Sequence, residues 1–332
     1  MDRHASRSPS SWAVTEALRS HVEESCRRIF PRWRPRADLR PRLGKAPDGA
    51  TRIRWLGAAG HVVETERTTI LIDPFLSRPS LWRVATSPLV PDEDAIRAHA
   101  PSRIHAVACG HSHYDHLLDA PLIAKNTGAL LIGTRTTCAF GEAAGLPPER
   151  MLVVPPSGAT FFVGDVELTL VPSRHGKLFR TWTPFPGEVT GTPTLPARAW
   201  HYRLGGTLGI MLRAGGLTIY HNGSADLIDA AIEGKRADVL LVGLAGRNST
   251  PRYLSRLVHA LSPSVVVPTH YDSFFSPLED GVRLLPGIDL DGFVAEARSI
   301  TRGARVITPS YGEVLAVPSE DPRGAAIVDP RD

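Results

Sequence analysis

Apolar and polar positions alternate with a period of two in the segment 52–56 (Arg52-Ile53-Arg54-Trp55-Leu56) and again, after a turn at 57–60, in His61-Val62-Val63-Glu64-Thr65. A third short run, 68–72, ends at Asp73-Pro74. A period of two turns alternate side chains to one face, so the three runs predict strands joined by short turns, an antiparallel meander. Farther along, the pattern changes to strand alternating with helix. The uninterrupted apolar run 104–109 reads as a strand buried on both faces, 117–126 as a helix, and 129–133, 151–154, 160–163 and 167–171 as further strands. Strands resume at 208–213 and 217–220 around Gly215-Gly216, which suits a hairpin turn. Buried strands are expected at 239–242 and 265–267, with a helix at 252–261 between them. The segment 177–200 is rich in Pro, Thr and Gly without any period, a long loop of the kind that either carries function or stays disordered. Together these elements predict a layered α/β or α+β body with two sheets.

Ahead of the meander, Trp12, Leu18, Val22, Cys26, Ile29 and Phe30 recur at three- and four-residue steps. They predict a helix, capped at Ser10-Ser11, whose apolar face packs on the body; Pro31, Pro35 and Pro41 then force an extended connector. The first fifty residues are arginine-rich and hold more than the whole net charge of +4. A solvated extension is the plain reading. Nucleic acid is not expected as a partner, because zinc-finger spacing, aromatic-basic interleaving and helix-turn-helix patterning are all missing. Peripheral membrane contact through the basic amphipathic helix is the other use considered. With 42% hydrophobic and 22% charged residues the chain can bury a core. Its apolar windows are strand-length, so no transmembrane segment is expected, and the N-terminus lacks the continuous apolar stretch of a secretory leader. Three widely spaced cysteines argue against a disulfide framework and for a cytoplasmic setting. The expected organisation is a basic helix and proline-rich connector at 1–50, a catalytic domain at 51–316 and a flexible tail at 317–332.

The chemistry concentrates in His111-Ser112-His113-Tyr114-Asp115-His116, between the strand at 104–109 and the helix expected from Leu117. Three imidazoles and a carboxylate so close together cannot all enter an apolar core, since each needs a polar partner. At a turn they can direct His111 and His113 to one side and Asp115 and His116 to another, an arrangement suited to one or two metal ions. A solvated histidine-rich turn is the plain alternative. His175, Asp226 and His270 each follow an expected strand, and successive strand ends are where a site collects in a layered α/β fold. Taken singly, each reads equally well as an ordinary loop residue.

The six-residue string, with Trp55-Leu56-Gly57, Ile70-Leu71-Ile72-Asp73-Pro74-Phe75 and Pro268-Thr269-His270-Tyr271, resembles the metallo-β-lactamase-fold hydrolases over residues 51 to 312. Within them it is most similar to the ascorbate-lactonase-like and N-acylphosphatidylethanolamine phospholipase D-like branch. The resemblance implies an α+β fold, a four-layer αββα sandwich with the N-terminal helix as an extension outside it. It also implies a first metal on His111, His113 and His175 and a second on Asp115, His116 and His270. The implied cofactor is one or two divalent ions, zinc first, with manganese or iron(II) also accommodated by such ligands. Two positions depart from the branch. Its Gly-Asp-Thr-like turn carries an Asp that bridges both metals, whereas Gly223 here precedes Ser224; either Asp226, two residues on, is the substitute ligand, the reading favoured, or Ser224 leaves the bridge missing. A His usual after Leu-Gly is Ala58 here, with His61 three residues on.

The reaction implied is cleavage of an ester-type bond (phosphodiester, lactone or thioester) in a small molecule or lipid. The attacking group would be a metal-bound water that ionises near neutral pH, with Asp115 orienting it. A serine nucleophile is not needed, because neither a Ser-His-Asp set nor Gly-x-Ser-x-Gly is apparent. The 177–200 loop is the expected lid, with Lys177 and Arg180 as anion contacts and Trp182 and Phe185 as an apolar wall; His201 and His221 are weaker candidates, supporting the site from behind or simply hydrogen-bonded loop histidines. Two rivals stand beside hydrolysis: an iron-dependent oxidoreductase on the same fold, and a non-catalytic metal-binding or assembly protein.

Overall fold

The computed structural model describes residues 15, 16, 18, 20, 22, 25, 29–34, 37–39, 44, 48–178 and 181–329. Two sheets face each other. The first has the order β15-β14-β1-β2-β3-β4-β5-β6 and the second β13-β12-β11-β10-β9-β8-β7. The first is built from β1 (Thr51–Gly57), β2 (Gly60–Glu64), β3 (Thr69–Ile72), β4 (Ala106–Ala108), β5 (Leu130–Gly133), β6 (Met151–Val153), β14 (Val314–Val317) and β15 (Ala326–Val328). The second comprises β7 (Ala159–Val163), β8 (Val166–Pro172), β9 (Leu208–Ala214), β10 (Leu217–Asn222), β11 (Val239–Gly243), β12 (Val265–Thr269) and β13 (Arg305–Val306). The meander β1-β2-β3 is antiparallel, as its alternation required.

Apolar side chains form three layers of core. Between the sheets, Ile53, Val63 and Ile70 meet Leu168, Ile210, Ile219 and Leu241. Outside the second sheet, Leu240 and Val242 pack with Leu254 and Leu257 of the helix Tyr253–Leu261 and with Phe293 of the helix Leu290–Ile300. Outside the first sheet, Val62, Leu71 and Val107 pack with Ile123 of Ala120–Thr127 and Phe140 of Arg135–Ala143. Successive residues of β11 therefore enter opposite cores, Leu241 the inner and Leu240 the outer, which is why that strand reads as one unbroken apolar run. The layers run helix, sheet, sheet, helix: the α+β sandwich of the metallo-β-lactamase fold.

Strand direction places the site. β10, β11 and β12 run parallel, and β9 is antiparallel to both β8 and β10, so β8, β10 and β12 end on one rim. In the facing sheet β4 is parallel to β3, and the two end together, with the Asp73 amide donating to the Ala108 carbonyl at 3.0 Å.

Three expectations change. The helix placed at 117–126 is two pieces, Tyr114–Leu117 and Ala120–Thr127, so Asp115 and His116 sit on a helical turn rather than ahead of one. The terminal segment from 317 contains β15, which pairs antiparallel with β14; three residues, Ala-Ile-Val, are too few to display a period. At the other end, every described residue from 15 to 29 is helical, but Leu18 and Ile29 are 54% and 56% exposed, so these members of the apolar stripe do not pack on the body. Docking comes from Phe30, the last residue of that stripe, and from the connector. Phe30 is buried against Phe275, Arg32 bridges to Arg283, and Leu39 joins the outer core of the second sheet. Trp12 and Cys26 lie outside the described residues. Among the described residues no helix is long and apolar enough to cross a membrane.

Candidate metal centre

The shared rim gathers two groups of potential metal ligands. His111, His113 and His175 each offer one ligand atom within 4.8 Å of the others, and Asp115, His116 and His270 do the same. The His111 and His116 rings, 3.8 Å apart between centroids, join the two groups.

Hydrogen bonding assigns the imidazole faces. His113 Nε2 donates to the Pro184 carbonyl at 2.9 Å, and His175 Nδ1 donates to the Gly176 carbonyl at 2.6 Å. The opposite nitrogens, His113 Nδ1 and His175 Nε2, therefore carry lone pairs, and His111 Nε2 lies 3.1 Å from His113 Nδ1. Burial holds these rings neutral. It drives His111 well below the usual imidazole range, with the neighbouring histidines adding to the effect, and lowers His113 to about 4 and His175 to about 3. Unprotonated nitrogens converging in a buried site fit a divalent cation, which satisfies several lone pairs at once.

The second group is arranged around a carboxylate. Asp115 Oδ2 lies 3.3 Å from His270 Nε2 and 3.7 Å from His116 Nε2. Burial alone would raise Asp115, but His116 and His270 hold it well below the usual carboxylate range, so it is an anion. Asp73 stands behind His116, a role the sequence reading did not assign. Its Oδ1 accepts the Gly110 amide at 2.6 Å and its Oδ2 lies 3.0 Å from His116 Nδ1, aiming Nε2 at the group. The signal available was an Asp-Pro closing a strand. Backbone strain collects here too: Ala58, Asp73 and His270 all have positive φ, at 45°, 43° and 52°. The Ala58 carbonyl fixes the His270 loop by accepting the His270 amide at 2.8 Å and the Thr269 hydroxyl at 2.7 Å.

Asp226 does not join either group, which corrects the expectation that it replaces the bridging carboxylate. Its Oδ1 accepts the Leu227 amide at 2.8 Å and lies 3.7 Å from Arg256 Nη1. The Asn222 side chain donates to the carbonyls of Ser224 and Asp226, pinning the turn with the Asp226 side chain away from the ligands. Ser224 faces the site, and its hydroxyl accepts the Gly176 amide at 3.0 Å. Gly223, ahead of Ser224, packs against His221 and Asp73 and has no room for a side chain. A Cβ there would stand 2.6 Å from His221 Cε1 and 2.8 Å from Asp73 Oδ2.

A cavity of about 370 Å3 opens over the two groups, and the 177–200 segment forms one wall through Leu178, Trp182 and Phe185. Lys177 and His201 are exposed and away from it. His221 is fully buried behind the ligands, donating through Nε2 to the Ala59 carbonyl at 2.9 Å, beside His61. The expected contacts at Lys177 and His201 are thus not formed, whereas His221 stands behind the ligands, 3.9 Å from Asp73 Oδ2. Arg180 lies outside the described residues.

A two-sheet sandwich with histidine and carboxylate ligands converging at one rim defines a metal-dependent hydrolase of the metallo-β-lactamase superfamily. Residues 52–270 match the beta-lactamase superfamily domain, and the chain belongs to that family. A UPF0173 metal-dependent hydrolase of Anaeromyxobacter dehalogenans is 32% identical over 239 residues, covering 69% of this chain and 78% of its own. Another, from Methanopyrus kandleri, is 30% identical over 268 residues, 79% of this chain and 98% of its own. Among solved structures, the metallo hydrolase Igni18 from Ignicoccus hospitalis aligns with a TM-score of 0.51 at 18% identity, over 81% of this chain and 99% of that one, a likeness of fold.

Proposed function

We propose that the chain holds one or two divalent ions, zinc by preference, and cleaves an ester-type bond of a small molecule or lipid. His111, His113 and His175 would hold the first ion and Asp115, His116 and His270 the second. Imidazole-rich sets with one carboxylate suit zinc, and iron or manganese would occupy the same atoms. A bound ion supplies Lewis-acid polarisation of the scissile group and acidifies the attacking water. The chain's own groups do the rest. The Pro184 and Gly176 carbonyls fix the tautomers of His113 and His175. Asp73 orients His116, and Asp115, ionised at neutral pH, is placed to accept a hydrogen bond from the water. The observation that carries the reading is the convergence of five imidazoles and one carboxylate in two adjacent groups on one rim.

The motifs Trp55-Leu56-Gly57, Asp73-Pro74-Phe75 and Pro268-Thr269-His270-Tyr271 support kinship with the ascorbate-lactonase-like branch. Buried, uncrosslinked Cys109 and Cys138 suit a cytoplasmic setting. Metal analysis of protein purified without added salts, paired with hydrolysis assays on ester, lactone, thioester and phosphodiester panels, tests the proposal. The expected result is zinc-supported cleavage abolished in His111→Ala. Stoichiometric iron with an oxygen-dependent activity, or cleavage that persists in His111→Ala, would overturn it.

A further inference from the structure

The cavity over the ligand groups has two zones. Its floor is polar: the ligand side chains and Ser224. Its walls are apolar, with Leu178, Trp182 and Phe185 from the loop and Phe274, Leu285 and Ile288 from the segment after His270; Phe185 packs on His113 and Phe274 on His270. Among the described lining residues there is no Lys or Arg, and Asp115, on the floor, is the sole carboxylate. A charged group against these walls would lose its hydration without gaining a partner among the described lining residues, which costs far more than the apolar contact returns. An uncharged apolar group gains by leaving water. At about 370 Å3 the space lies near the lower end of ordinary ligand pockets, roughly 300–1,000 Å3, the size of a small molecule's site.

We infer that the substrate is a neutral carbonyl ester, lactone or thioester whose acyl or aryl portion is apolar and lies against the Trp182 and Ile288 walls. The assignment rests on the hydrolytic reading above and narrows it. A substrate with a charged acyl chain is excluded as the preferred one; a phosphodiester, whose anion would lie on the floor and not against the walls, is the competing class that the assay separates. In the reaction the acyl carbon–heteroatom bond breaks, water supplies the hydroxyl of the acid product, and its other proton goes to the leaving alcohol or thiol. No oxidant or further reactant is consumed.

Two measurements test this on the full chain loaded with zinc. The first compares kcat/KM for p-nitrophenyl acetate, butyrate and hexanoate with p-nitrophenyl hemisuccinate, whose acyl end is anionic, and with bis(p-nitrophenyl) phosphate. At full burial each methylene is worth about fourfold, so butyrate should exceed acetate by about tenfold or more. The hemisuccinate and the phosphate should fall at least tenfold behind hexanoate. The second follows fluorescence of the neutral probe N-phenyl-1-naphthylamine, expected to bind and to be displaced by ethyl hexanoate far more readily than by hexanoate anion.

Ile288→Lys, at a half-buried position, should weaken the probe at least tenfold and shift preference toward hemisuccinate. Trp182→Ala, 49% exposed in the parent and so compatible with folding, should weaken it about fivefold. A flat chain-length profile, or preference for hemisuccinate or the phosphate, with esters still cleaved, overturns the substrate class and leaves the hydrolase standing. A probe bound and displaced as expected, with no ester cleaved, supports the ligand class and overturns the hydrolase.

Discussion

Arg78 tests whether the His270 loop is held by a buried charge. Its guanidinium is 2.6 Å from Asp272 Oδ2 and donates to the Ser273 carbonyl at 2.6 Å and the Ser276 carbonyl at 2.7 Å. Asp272 is wholly buried and also accepts the Ala58 amide at 2.9 Å and the Tyr311 hydroxyl at 2.6 Å. The cluster ties the loop after β3 to the loop that presents His270. It also explains Gly57, where a Cβ would stand 2.2 Å from Arg78 Nη1. Arg78→Met keeps much of the volume but strips two carbonyls of their donor and leaves Asp272 charged and buried. Breaking a buried pair this way costs about 3–5 kcal/mol. Because Ala58 and Tyr311 still bind Asp272, we expect the lower end, about 3 kcal/mol, read from urea unfolding. Adding Asp272→Asn removes the stranded charge while keeping an acceptor for Ala58, and should restore about 1 kcal/mol or more. Arg97→Met, which breaks the exposed Arg97–Asp94 pair, should change stability by less than about 0.5 kcal/mol. A loss under about 1 kcal/mol in Arg78→Met, or a double variant no more stable than the single, would refute the reasoning.

Asp73→Asn should lower metal affinity about 10- to 100-fold in chelator competition, because His116 loses the carboxylate that aims it; an unchanged affinity would remove that positioning role. Asp226→Asn should leave metal stoichiometry as it is, since the carboxylate faces Arg256; a lost equivalent would restore Asp226 as a ligand. In chelator, stability should fall steeply on acidification. Burial lowers His113 to about 4, His175 to about 3 and His221 to about 4, so below pH 6.5 the unfolded chain takes up protons that the folded chain refuses. The stabilisation is complete above pH 6.5 and drains away toward pH 4, at roughly 4 kcal/mol per pH unit near pH 5 for three such groups. Urea midpoints that hold steady between pH 7 and 5 would contradict the buried neutral state.

The meander, the buried strands and the Gly215-Gly216 hairpin were legible because periodicity and turn chemistry are local properties of the chain. So was the His111–His116 string, whose six residues are adjacent in sequence. Short elements were not: β15 has three residues, and its place is decided by the edge of β14 that it pairs with. Strand direction, a long-range property, decides that the ends of β8 and β12 meet that of β4, and so brings His175 and His270 to the string. The fate of Asp226 also lay beyond sequence. A carboxylate two residues past Gly223 is equally able to face the ligands or Arg256, and the Asn222 bonds across the turn select the second. The lid divides in the same way. Composition marked 177–200 as a loop, but which of its side chains turn inward depends on the apolar wall of Phe274, Leu285 and Ile288, which lets apolar groups leave water and gives charges no partner among the described lining residues.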